Sequence, residues 1–86
     1  MKMKTTIITG QYVNIVVNDY TDIIIILPEW ADELTVEDVE DISTRATEVL
    51  NEFFKKVGNF YLRSQLREVL QEEFEDDEYQ VLIQVL

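Results

Sequence analysis

Two hydrophobic periods divide this chain. Over the first third the apolar positions come in β-type runs. Met3 to Thr9 is rich in Thr and Ile, Tyr12 to Val17 is β-branched or aromatic except at Asn14, and Asp22 to Leu27 is almost pure Ile. Such residues suit a pleated, partly buried surface. Gly10-Gln11 fits a two-residue hairpin loop, with Gly at the first central position where a type II′ turn needs positive φ. Asn18-Asp19-Tyr20-Thr21 reads as a second turn, because Asn and Asp side chains hydrogen-bond their own backbone. Ile23 to Leu27 has no polar alternation, which asks for cover on both faces and a central place in the sheet. Pro28 cannot donate to a ladder and ends that strand.

From Thr35 the period changes to three and four. Val39, Ile42, Ala46, Val49, Leu50, Phe53 and Val57 mark one buried face of a helix. Thr35 is a suitable N-cap, and Asp38 completes an approximate capping box. Glu37, Asp38, Glu40 and Asp41 crowd the positive end of the helix dipole, and Lys55 and Lys56 the negative end. Gly58 suits the C′ position. The helix should run about 22 residues, or roughly 33 Å. Before it, Glu29 to Leu34 is a connector with one helical turn around Trp30. After it, Asn59 is placed to cap a second helix carrying Leu62, Leu66, Leu70 and Phe74 on one stripe, with Val69 beside them. The acidic run Glu75-Asp76-Asp77-Glu78 breaks this helix, and Tyr79 to Leu86 is a last strand in which Val81, Ile83 and Val85 alternate with Gln80 and Gln84.

The expected architecture is α+β: a single two-layer domain over residues 1–86, in the order βββααβ, with a mainly antiparallel four-stranded sheet and two helices packed on one face. The last strand is too apolar for an exposed edge and should insert beside the first or third strand.

Charge changes the picture from fold to use. The chain has 18 acids, 7 bases, no His and no Cys, for a net charge of −11. The excess falls in two blocks. Glu29 to Glu52 holds nine acids against Arg45 alone, and Glu68 to Leu86 holds seven acids and no base. Between them Phe53 to Arg67 carries only bases: Lys55, Lys56, Arg63 and Arg67. At 47% hydrophobic residues the chain is too apolar for disorder. Its acidity repels nucleic acid and anionic lipid and favours basic proteins as partners. No run approaches the roughly 20 apolar residues that span a bilayer, and no signal peptide is legible. With no Cys to suggest an oxidising compartment, a soluble cytoplasmic protein is expected.

Reactive chemistry is thin. Without His or Cys the common nucleophile–base pairs fail at the start. Ser43 and Ser64 fall within helices with no Gly-rich elbow, and Lys55 and Lys56 are explained by the helix dipole. Paired carboxylates are plentiful, yet exposed acids on a helix are poorly placed for acid–base work. Glu75 to Glu78 lacks the alternate spacing and turn glycine of a calcium loop, and no phosphate-binding loop occurs. The expectation is a non-enzymatic protein with no cofactor and no metal.

Two readings of the acids compete. In one they form a solvated face, with Asp41–Arg45 and Glu52–Lys56 as i,i+4 pairs worth a few tenths of a kcal/mol each. In the other they are a binding surface, because so much uncompensated charge costs a small domain stability. Glu37, Asp41, Glu48 and Glu52 fall along one side of the long helix at rises of roughly 6, 10 and 6 Å. A DNA strand offers a phosphate about every 3.4 Å, so the helix imitates a sparse phosphate row. Glu72, Glu73, Glu75, Asp76 and Asp77 supply a second row if they fold nearby. Trp30, in a loop flanked by acids, is either an anchor for a partner or cover for the sheet edge and the start of the long helix. The basic band is expected to pair with Glu72 to Glu78 or with a neighbouring subunit.

In size, charge and α/β composition the chain resembles the small acidic inhibitors, many of them phage-encoded, that mimic nucleic acid; anti-CRISPR proteins and inhibitors of DNA-repair enzymes are examples. The resemblance implies occlusion of the basic groove of a nucleic-acid-binding protein or nuclease, and carries no individual residue over. Two other uses fit the same composition. One is a self-associating assembly protein, dimeric through an open sheet face; the other is an immunity protein or antitoxin that neutralises a basic nuclease.

Overall fold

A computed structural model describes residues 10–85 of the chain. Strand β1 (Tyr12–Asn18) turns back into β2 (Thr21–Ile26), helix α1 (Val36–Val57) and helix α2 (Arg63–Phe74) follow, and β3 (Gln80–Val85) closes the order ββααβ. The fold is α+β, as the two periods imply. The sheet is a correction to the four-stranded βββααβ expectation: among the described residues it has three strands, all antiparallel, in the order β1-β2-β3. The expected strand Met3 to Thr9 lies outside the described residues. Gly10, which was to open its turn, has a φ of 91°.

The all-Ile strand takes the centre, and β3 pairs with it as one of the two expected neighbours, yet among the described residues β3 ends the sheet, against the expectation that it is too apolar for an edge. In register, Val13, Ile25 and Val81 lie abreast, as do Ile15, Ile23 and Ile83. These side chains share the face that meets the helices. Val13, Ile23, Ile25, Leu27 and Val81 join Ile42, Ala46 and Leu50 of α1 and Leu66, Leu70 and Phe74 of α2 in one buried cluster. The opposite face carries Asp22, Ile24 and Ile26 of β2. Ile24 is only 2% exposed there, so little of its area is left for a partner to cover. Asp22 is buried beside it, with Oδ2 3.4 Å from Asn14 Nδ2; among the described residues its Oδ1 has no hydrogen-bond partner.

The caps explain where the elements start and stop. Thr35 Oγ1 accepts from the Asp38 N–H at 3.1 Å and Asp38 Oδ2 accepts from the Thr35 N–H at 3.0 Å, the reciprocal box expected. Those bonds hold the Asp38 carboxyl below its ordinary pKa. At the other end the Gly58 N–H reaches the Phe54 carbonyl at 2.8 Å, with Gly58 at φ 63° and ψ −130°, a conformation L side chains avoid. The second helix begins later than an Asn59 cap implies. Tyr61 turns inward onto Phe53 and Phe54, at ring separations of 5.8 and 5.3 Å, and this docking keeps Asn59 to Leu62 out of the helix. Gln65 then takes the capping role, its Oε1 accepting the Leu62 N–H at 2.7 Å. Leu62 accordingly leaves the apolar stripe and lies exposed.

The acidic run does more than break α2. The Tyr79 N–H bonds to the Phe74 carbonyl at 3.3 Å and the Glu78 N–H to the Glu75 carbonyl at 3.0 Å. Glu78 sits at φ 61°. This is the Schellman pattern, with a glutamate where glycine is usual. The turn delivers β3 alongside α2, which caps its outer edge. Gln71 accepts the Val81 N–H at 3.0 Å and donates to the Tyr79 carbonyl at 2.8 Å, and Arg67 Nε donates to the Val81 carbonyl at 3.1 Å. An edge that would invite strand addition is thus partly satisfied from within. None of the described helices is long and apolar enough to cross a membrane.

Candidate functional site

Antiparallel packing of α1 and α2 decides where the acids go. The start of α1 lies beside the end of α2, so the two acidic blocks, far apart in sequence, meet at one end of the helix pair. They are joined by the one base of the first block. Arg45 donates from Nη2 and Nη1 to the two Asp77 oxygens at 2.9 and 3.1 Å, and from Nη2 to the Glu73 carbonyl at 3.2 Å. Its Nε lies 3.4 Å from Glu73 Oε1, and its guanidinium sits 4.6 Å from the centroid of the Phe74 ring. This bidentate, stacked geometry suits arginine and not lysine. The contact holds the Asp77 carboxyl below its usual range and pushes the Arg45 guanidinium further up.

The expected pairings within α1 therefore give way. Arg45 leaves Asp41 for the α2–β3 turn, and Glu52 pairs with Lys55 at 3.6 Å, not with Lys56. Nor does the basic band neutralise Glu72 to Glu78: among the described residues Arg45 alone makes ion pairs with that segment, and Arg67 serves a backbone carbonyl. The remaining acids make no ion pair among the described residues.

Two concavities collect the candidates. One is a cleft of about 370 Å³ between the connector, the start of α1 and the α2–β3 turn. Leu27, Ala31, Leu34 and Tyr79 give it an apolar wall, and Asp32, Asp38, Asp76, Asp77 and Glu78 line the rest, with Trp30 among them. Trp30 is 71% exposed and does not serve as cover for the sheet edge or the helix start. Its loop is fixed from below: Ala31 N–H bonds to the Pro28 carbonyl at 3.0 Å, a single turn in place of the expected helical one, while Gln11 donates to the Asp32 carbonyl at 3.0 Å and accepts from the Leu34 N–H. Burial, and then the Asp77 charge, push the Tyr79 phenol up. Among the described residues no three of these carboxylates converge to hold a metal ion.

The other concavity is a groove of about 400 Å³ between the helices, floored by Val49, Phe53 and Val69 and edged by Glu48, Glu52, Glu73, Arg45 and Lys56. The structure thus brings Asp76, Asp77 and Trp30 together in the cleft and Glu48, Glu52 and Glu73 together in the groove. Glu37 and Asp41 lie exposed on α1 and line neither; Glu72, exposed on α2, and Glu75, exposed just past its end, likewise line neither. Asp32, Asp38 and Glu78 were missed as site residues, although their place next to Trp30, at the N3 position and before Tyr79 marks where the three segments converge. In the sequence Arg45 is only the lone base of the first block and an i,i+4 neighbour of Asp41, and the tertiary fold alone makes it the link between blocks. No family model matches the chain, and comparison with curated proteins and with solved structures found no match.

Proposed function

We propose that this protein is a non-enzymatic acidic binding module that covers the basic, nucleic-acid-contacting surface of another protein and inhibits it by occupancy. One observation carries the reading: the two acidic blocks meet in space, with Arg45 the single basic side chain that links them among the described residues. Their acids continue along α1 through Glu37, Asp41, Glu48 and Glu52, giving a negative surface of helical length with an exposed indole at one end.

The energetics support a use for this surface. Four acids sit where the α2 dipole is negative, against the usual preference for bases. Glu78 occupies a left-handed conformation that costs a non-glycine residue about 1 kcal/mol. Strain at Glu78 and crowding of Asp76, Asp77 and Glu78 fall on one wall of the cleft and motivate a functional reading. A cationic partner relieves the repulsion on binding. Its approach is steered by charge and weakened by salt.

The test is capture from lysate on immobilised protein, followed by elution with free duplex DNA. The reading predicts that captured proteins bind nucleic acid and are released by the duplex. Retention of all captured proteins in the presence of excess DNA would contradict mimicry.

A further inference from the structure

The two ends of the helix pair are unlike and both exposed. At the end where α1 meets α2, the connection and the β1–β2 turn put Phe60, Leu62 and Tyr20 on the surface at 92%, 67% and 68% exposure. Tyr20, Leu62 and Arg63 line one shallow cavity there, and Phe60 precedes Leu62 by two residues in the same connection. Lys55 and Lys56 close α1 at the same end, with Asp19 as the acid of the turn. Exposed apolar surface of this kind, rimmed by charge, suits an interaction site. The opposite end holds the cleft in which Trp30 stands among Asp32, Asp38, Asp76 and Glu78 over Leu27. One end is apolar and basic, the other apolar and acidic.

We infer that a second copy of this chain docks head to tail, its Phe60–Leu62 end entering the Trp30 cleft of the first. The two ends of the molecule complement each other in both charge and apolar surface. Association through the far face of the sheet has less to offer, because Ile24 is already covered in the single chain. A head-to-tail contact is heterologous, so each pair keeps one free cleft and one free aromatic end, and growth continues beyond the dimer. The net charge of −11 opposes this at low ionic strength. At physiological salt the screening length of about 8 Å removes long-range repulsion while leaving close contacts in place. The inference goes beyond the proposed inhibition and does not use Glu37, Asp41, Glu48 or Glu52.

Sedimentation velocity of the full chain at physiological salt, from low micromolar to near-millimolar concentration, tests it. The expected result is a sedimentation coefficient that climbs without levelling at dimer. Phe60→Ser and Trp30→Ala each abolish the climb alone, and an equimolar mixture of the two variants recovers one heterodimer, since one retains the cleft and the other the aromatic end. Both side chains are exposed, so unchanged far-ultraviolet circular dichroism and thermal midpoint show that the fold is kept. A monomer at every concentration overturns the inference. So does association that survives Trp30→Ala, or a mixture that stays monomeric. Loss of duplex-reversible capture with self-association intact removes the inhibitor reading and leaves this one standing.

Discussion

At the residue scale, Arg45 does the most. Among the described residues it alone bonds α1 to the end of α2 and the α2–β3 turn by its side chain, through Glu73 and two oxygens of Asp77, while lying against the Phe74 ring. Hydrogen bonds to charged groups contribute about 1.5–3 kcal/mol, and both side chains of the Arg45–Asp77 pair are largely shielded from solvent. Arg45→Met should lower stability by about 2 kcal/mol in urea denaturation, with little change in the slope. The pH dependence has a definite sign. The Asp77 carboxyl is held below its ordinary value of 3.8, so its contribution is fully present above that value and is lost as pH falls through the lower folded-state value. The stability gap between the parent and Asp77→Asn should therefore be constant near neutrality and close below about pH 4. Glu78 gives a prediction of opposite direction. Glycine at this left-handed position removes strain, so Glu78→Gly should raise stability by about 0.5–1 kcal/mol, read as a higher urea midpoint.

At the scale of elements, the long helix was the most legible part of the sequence. Its cap, stripe and glycine are all local signals that tertiary contacts reinforce: α1 runs Val36–Val57 between Thr35 and Gly58. Thr35→Ala removes one side of the reciprocal box and should cost about 1 kcal/mol, measured as a fall in thermal midpoint. The all-Ile strand was equally readable, because unbroken apolarity has one stable place in a sheet. What escaped the sequence was decided by side chains acting at a distance. Tyr61 turns onto two Phe rings and delays α2 past Asn59, and the last acids form a Schellman turn that the charge run conceals. Gln71 imitates a strand partner for β3, a role no periodicity announces. Replacing it with Leu should free the Val81 N–H and Tyr79 carbonyl, costing about 1–3 kcal/mol where those groups lose their partner and raising the tendency of the β3 edge to add a strand.

At the scale of the molecule, the charge blocks were visible in the sequence but their meeting was not. It follows from the antiparallel helix pair, which returns the chain to the start of α1 just as the second acidic run begins. The expected phosphate-like row is only partly gathered. Glu48 and Glu52 face Glu73 across the groove, Asp76 and Asp77 share the cleft with Trp30, and Glu72 and Glu75 look elsewhere. Compensation also comes from an unexpected base, since Arg45 and not the central band answers the second block. The resulting molecule has a negative flank along α1, an acidic cleft at one end and a basic aromatic surface at the other. Charge on the flank should then govern partner binding with little effect on folding, because Glu37, Asp41, Glu48 and Glu52 are exposed and surface pairs such as Glu52–Lys55 contribute little.

The most direct measurement compares capture by the parent with capture by the variant Glu37→Gln, Asp41→Asn, Glu48→Gln, Glu52→Gln, each eluted with duplex DNA at physiological salt. The account predicts that the duplex-releasable nucleic-acid-binding proteins held by the parent are lost from the variant, while its thermal midpoint stays within a few degrees. An identical set of proteins retained by both, or a parent whose captured proteins ignore the duplex, would contradict it.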